Sequence, residues 1–132
     1  MSEEVETILN MDSTKPIYVQ IADWIESEIL NGHFESGEKV YSQYQIAEMY
    51  TINPATAAKG LNLLVDENIL YKKRGLGMFV AADANEIIIY KRKNQTLKRL
   101  VRELVLEANR LQISEVELIK MIKVENNQEA EQ

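Results

Sequence analysis

The stretch Ser42-Gln43-Tyr44-Gln45-Ile46-Ala47-Glu48-Met49-Tyr50-Thr51-Ile52-Asn53-Pro54-Ala55-Thr56-Ala57-Ala58-Lys59-Gly60-Leu61 holds two helix starts separated by a very short connection. Ser42 suits the N-cap of a helix over roughly 43–50, with Ile46, Ala47, Met49 and Tyr50 turned inward. Thr51-Ile52 leaves room only for a tight turn. Asn53-Pro54 opens the next helix: asparagine caps it, and proline takes the first helical position, where its missing N–H is no loss. Its apolar face is Ala57, Gly60, Leu61, Leu64 and Val65, and Ala55, Lys59, Asn62 and Asp66 lie opposite. A tight two-helix unit whose second helix has a small, polar outer face fits a major groove.

Upstream, Thr14-Lys15-Pro16 reads as a helix start, with Thr14 near the N-cap and Pro16 in the first turn. Ile17, Ile21, Trp24, Ile25 and Ile29 form one helical stripe, closed by Asn31-Gly32. Phe34 to Val40 reads as a turn and a short extended piece. Downstream, Asn68 ends the capped helix. Residues 69–73 read as a strand, Arg74-Gly75-Leu76-Gly77 as a turn and Met78-Phe79-Val80 as the returning strand. Three adjacent cations, Lys72-Lys73-Arg74, stand at the first corner of this hairpin. Alone they would read as a solvated turn. Directly after a helix-turn-helix they read as a wing that straddles a phosphate backbone or enters a minor groove, with Gly75 letting the main chain come close.

From about Asn85 a long helix is expected. Leu97, Leu100, Val101, Leu104, Val105, Ala108 and Leu111 recur at three- and four-residue steps. Gln112-Ile113 breaks it, and Ser114-Glu115-Val116-Glu117 opens a last helix with Val116, Ile119 and Ile122 on its apolar side. One short helix does not cover so long a stripe, so a second copy of the chain is the expected cover, matching the two-fold symmetry of an operator. The basic run Lys91-Arg92-Lys93, with Lys98, Arg99 and Arg102, reads as a solvated helix flank in preference to added phosphate contacts, because the tail is expected to face its own partner. The expected organisation is an arm at 1–13, a winged helix-turn-helix at 14–82, a helical dimerisation region at 83–124 and a disordered polar tail at 125–132. The fold class is mainly α with a small β-hairpin.

The composition narrows the chemistry. The chain has 132 residues and no cysteine, which removes disulfides, thiolate metal sites and cysteine nucleophiles. A single histidine, His33, reads as a local partner after a helix end. Carboxylates such as Glu26 and Glu28 are two apart and do not share a helix face. Gly75-Leu76-Gly77 lacks the downstream glycine and helix of a dinucleotide loop. Neither an enzyme nor a cofactor or metal site is expected. No apolar run is long enough to span a membrane, and the N-terminus lacks a secretory signal pattern, so the cytoplasm is the expected compartment. Net charge −6 argues against indiscriminate nucleic-acid binding. It leaves specific binding through local cations, and it also fits a winged helix that binds protein instead.

Residues 15–81 resemble the DNA-binding domain of the GntR family of bacterial transcription regulators. The likeness runs through Pro16-Ile17-Tyr18-Val19-Gln20-Ile21, Ile29-Leu30-Asn31-Gly32, Ser36-Gly37-Glu38-Lys39-Val40, Ile46-Ala47-Glu48-Met49-Tyr50, Ile52 to Leu61 and Gly75-Leu76-Gly77-Met78-Phe79-Val80. Only about 50 residues follow the hairpin. That is similar to the short YtrA-type subgroup, whose helical tail dimerises. The resemblance implies a homodimeric repressor of double-stranded operator DNA, in many cases of transporter operons. It leaves open an unidentified small-molecule effector.

The chain departs from the family pattern at Tyr41-Ser42-Gln43-Tyr44, where many members have Pro-Ser-x-Arg, and at Pro54 and Ala58, where basic residues are frequent. Tyr44 is left between a core edge and a phosphate contact. The expected DNA contacts are Ser42, Gln43, Tyr44, Asn53, Pro54, Ala55, Thr56, Lys59, Lys72, Lys73, Arg74 and Gly75. Without the arginines, more of the recognition is expected from phosphates, thymine methyls and DNA shape.

Overall fold

In the computed structural model, which describes residues 9–10 and 13–131, Ile21, Ala22, Trp24, Ile25 and Ile29 turn helix α1 (Ile17–Leu30) inward. Thr14 is not its cap. Pro16 holds that position with φ −57° and ψ 152° and makes no side-chain cap hydrogen bond. Pro16 keeps Lys15 out of the helical region, so no helix can start from a cap at Thr14, and the extended ψ of Pro16 itself puts the first helical residue at Ile17. Helix α2 (Gln43–Tyr50) and helix α3 (Pro54–Asp66) follow, joined through Thr51 in the left-handed conformation. The hairpin comes next: strand β1 (Leu70–Lys73) pairs antiparallel with β2 (Gly77–Val80), placing Tyr71 opposite Phe79 and Lys73 opposite Gly77. This is a winged helix-turn-helix.

The extended piece after α1 joins that ribbon. Gly37 N donates to Val80 O (2.8 Å), Val80 N to Glu38 O (2.9 Å) and Val40 N to Met78 O (2.9 Å). The wing is thereby tied to the exit of α1. The core contains the isoleucine stripe with Ile46, Leu61, Leu64, Ile69 and Val80. At its edge Trp24 stacks on Tyr41 (5.5 Å between centroids) and meets Tyr50 edge-on (5.1 Å).

Of the expected arm, residues 1–8 and 11–12 lie outside the described residues. Leu9 packs against the core. Asn10 is hooked to α1: its N–H donates to Gln20 Oε1 (2.7 Å), and Gln20 Nε2 donates to Asn10 O (2.9 Å) and Lys15 O (3.0 Å). Buried Gln20 thus has its polar groups answered by main chain.

Beyond the hairpin, helix α4 (Ala84–Lys91) passes into a π-helical segment, Arg92–Leu97, and then into helix α5 (Lys98–Arg110). Two compact units divide between Tyr90 and Lys91. The expected boundary near 83 lies earlier, because Ala84 and Ile88 of α4 are buried in the first unit's core. Gln112, with φ 60°, turns the chain into helix α6 (Glu115–Glu131), and Ser114 Oγ accepts from Glu117 N at 3.2 Å. The tail expected to be disordered from 125 is helical to Glu131. Glu125, Gln128 and Glu129 are good helix formers, and no glycine or proline interrupts them.

Candidate nucleic-acid interface

Ser42 and Asn53 are engaged in building the helices that carry the site. Ser42 Oγ accepts from Gln45 N (3.1 Å) while Gln45 Oε1 accepts from Ser42 N (2.8 Å), a reciprocal capping box. Asn53 Oδ1 accepts from Ala55 N at 2.8 Å, with Pro54 at the first helical position. The capped end of α3 carries the positive pole of its dipole. Ala57, Gly60, Leu61 and Leu64 are buried, and the opposite face of Ala55, Lys59, Asn62 and Asp66 is exposed. Pro54 and Thr56 are half-buried beside it. Gln43 from the start of α2 lies along the same groove as Ala55, Ala58 and Lys59. Tyr44 is 69% exposed and so is no part of the core.

On the wing, Lys72, Lys73, Arg74 and Gly75 are all exposed. Gly75 has φ 78°, and Leu76 N donates to Lys73 O at 2.9 Å to close the turn. Alternation along the strand puts Lys72 and Lys73 on opposite faces of the ribbon. The ammonium of Lys73 lies 4.5 Å from the Phe79 ring centroid, and that ring stacks on Tyr71 at 5.9 Å. Lys73 is therefore held against the ribbon, while Arg74 takes the corner.

Two side chains beyond the expected set belong beside it. Lys39 pairs with Phe79 through an isolated bridge, and its stem runs over Gly77, where a Cβ would lie 2.7 Å from Lys39 Cε. It brings a further cation beside Gly77, next to the turn of the wing. Its local sequence carries no such signal, because the pairing is long-range. Tyr18, on α1, lies under Lys59, with Nζ 4.1 Å from the ring centroid.

In the second unit, Leu97, Leu100, Val101, Leu104, Val105 and Leu111 are exposed, and Ala108 alone of the expected stripe is buried. Val116, Ile119, Met121, Ile122 and Val124 of α6 are exposed as well. Val101, Leu104, Val105, Leu118, Ile119 and Ile122 line an apolar groove of about 360 Å³ shared by α5 and α6. Arg99 pairs with Glu103 at 2.8 Å on the solvated flank. Among the described residues no group of acidic or histidine side chains is placed to hold a metal ion, and no helix is long and apolar enough to cross a membrane.

Residues 17–80 match the family model for bacterial regulatory proteins, gntR family. The transcriptional repressor NagR of Bacillus subtilis is 34% identical over 73 residues, which are 55% of this chain and only 30% of NagR. The transcriptional repressor YtrA of the same organism is 28% identical over 97 residues, 74% of each chain. A crystal structure from Bacteroides thetaiotaomicron, described as a putative transcriptional regulator of the GntR family, superposes with a TM-score of 0.71 at 33% identity, covering 86% of this chain and 99% of that one. Streptococcal BusR (S. agalactiae), solved in complex with its busAB promoter DNA, is 30% identical with a TM-score of 0.55, over 87% of this chain and 57% of that one.

Proposed function

Because the chain belongs to the gntR family of bacterial regulatory proteins, we propose that it is a homodimeric, sequence-specific repressor acting in the cytoplasm on the operator of transporter-type genes. The observation that carries the reading is the outer face of α3, left exposed at Ala55, Lys59 and Asn62 and capped so that its positive end is free to meet DNA. In this reading α3 enters the major groove with Asn53, Pro54, Ala55 and Thr56 nearest the bases. Ser42, Gln43 and Tyr44, at the start of α2, meet the flanking backbone. Lys72, Lys73, Arg74 and Gly75 follow the phosphates or the adjacent minor groove. BusR, with its promoter DNA, supports the choice of partner by analogy.

The exposed stripe on 97–111 and the apolar face of α6 support the dimer, since leaving them in water is unfavourable. Two copies would seat two α3 helices on two half-sites. The bound dimer would occlude RNA polymerase, and an inducing effector would alter the spacing or angle of the reading heads. The test is a binding titration against duplexes selected from a random pool, repeated across salt concentrations. A specific complex whose log affinity falls linearly with log salt is expected. No specific complex, or an affinity indifferent to salt, would overturn the proposal. The net charge of −6 favours a second reading, a protein-binding winged helix. Under that reading, reversing Lys72, Lys73 and Arg74 to glutamate leaves partner binding intact.

A further inference from the structure

Lys59 has a long, flexible stem, yet its ammonium sits 4.1 Å from the centroid of the Tyr18 ring on the neighbouring helix. Residue 60 explains how the two helices come so close. A Cβ there would lie 2.8 Å from the Tyr18 carbonyl oxygen and 3.0 Å from Ile21 Cγ2, so only glycine admits this approach. The close contact at Gly60 thus sets the Tyr18 ring beside the lysine that precedes it. Tyr18, Gln43, Ala55, Lys59, Asn62 and Asp66 line one open groove of about 550 Å³ along the outer face of α3.

We infer that Tyr18 is a positioning residue for DNA recognition: its ring holds the Lys59 ammonium in this groove, ready for a phosphate of one DNA strand. The inference rests on the DNA-binding reading above. An ammonium over an aromatic face keeps its full charge and its outward N–H donors, so it still bonds a phosphate oxygen. Holding it there beforehand spares the rotamer entropy that a free lysine loses on binding. Asp66, about two turns further along α3, repels phosphate from that end of the groove. The strand is thereby directed toward Lys59 and the positive end of the helix.

The test is a double-mutant cycle on the full chain, read as affinity for a selected duplex over a salt series. Lys59→Met is expected to lower the log–log salt slope by about 0.9, the value for one phosphate. A neutral methylphosphonate at the contacted position should reproduce that loss. Tyr18→Phe should bind like the parent, whereas Tyr18→Leu should lose about two- to five-fold in affinity. In the Lys59→Met background, Tyr18→Leu should add nothing further. Penalties that simply add, or a loss from Tyr18→Phe equal to that from Tyr18→Leu, would overturn the positioning role while leaving DNA binding intact. A lowered Tm for Tyr18→Leu, with its affinity loss persisting without Lys59, would likewise make the ring merely structural. Absence of any specific complex with the parent protein would remove the DNA-binding reading itself, and this inference with it.

Discussion

At the scale of single residues, Gly60 is the position where one added methyl group does most harm. Alanine is the better helix former, but its Cβ would press on the backbone oxygen of Tyr18, which cannot swing aside. Gly60→Ala is expected to destabilise by about 1–2 kcal/mol net, read as a lower urea midpoint, and to weaken DNA binding as well. Tyr50 makes the opposite prediction. Its hydroxyl is buried with no hydrogen-bond partner among the described residues, and burial, then Glu28 and Tyr41, pushes the phenol well above its ordinary 10.0. The folded chain keeps a proton that the unfolded chain releases above pH 10.0, so this contribution to stability is lost as pH rises past that value. Tyr50→Phe should match or exceed the parent's stability at neutral pH and decline less in alkali, as thermal melts across pH 8 to about 11 would show.

At the scale of elements, the capped helices carry the site, and their caps are written locally. Asn53→Ala removes the acceptor for Ala55 N and should cost about 1 kcal/mol of stability, measurable by denaturant titration. Reversing Lys72, Lys73 and Arg74 to glutamate should leave the circular dichroism of the fold unchanged and lower DNA affinity by at least about 100-fold, since six charge units change beside the phosphates. Ser42, Asn53-Pro54 and the turn glycines were legible in the sequence because each acts within three residues of itself. Lys39 was not, because its place depends on pairing with Phe79 forty residues away. Tyr18 was hidden for the same reason: its partner is set by how closely two helices pass at Gly60. The π-helical segment 92–97 has no glycine or proline to announce it, and the polarity of the tail conceals its helix. Thr14 has the side chain of a cap, but Pro16 keeps Lys15 out of the helical region, so no helix can begin there.

At the scale of the whole molecule, the exposed apolar stripe of α5 is what a second copy would cover. If the proposed dimer forms there, a charge in its middle, Leu104→Glu with Val105→Glu, should convert it to monomers in sedimentation experiments. Operator affinity should then fall by about 100-fold or more, because two linked heads bind far more tightly than one. The first unit, with its own core, should keep its melting transition. That transition has a convenient reporter. Trp24 is the chain's one tryptophan, and it is enclosed between Tyr41, ahead of α2, and Tyr50, at the end of α2. Its emission therefore follows the seating of α2 on α1 and is remote in sequence from the tail proposed to dimerise. Excited at a wavelength that spares the tyrosines, it separates loosening of the reading head, seen as a red shift, from dissociation of the tails, which leaves its colour unchanged.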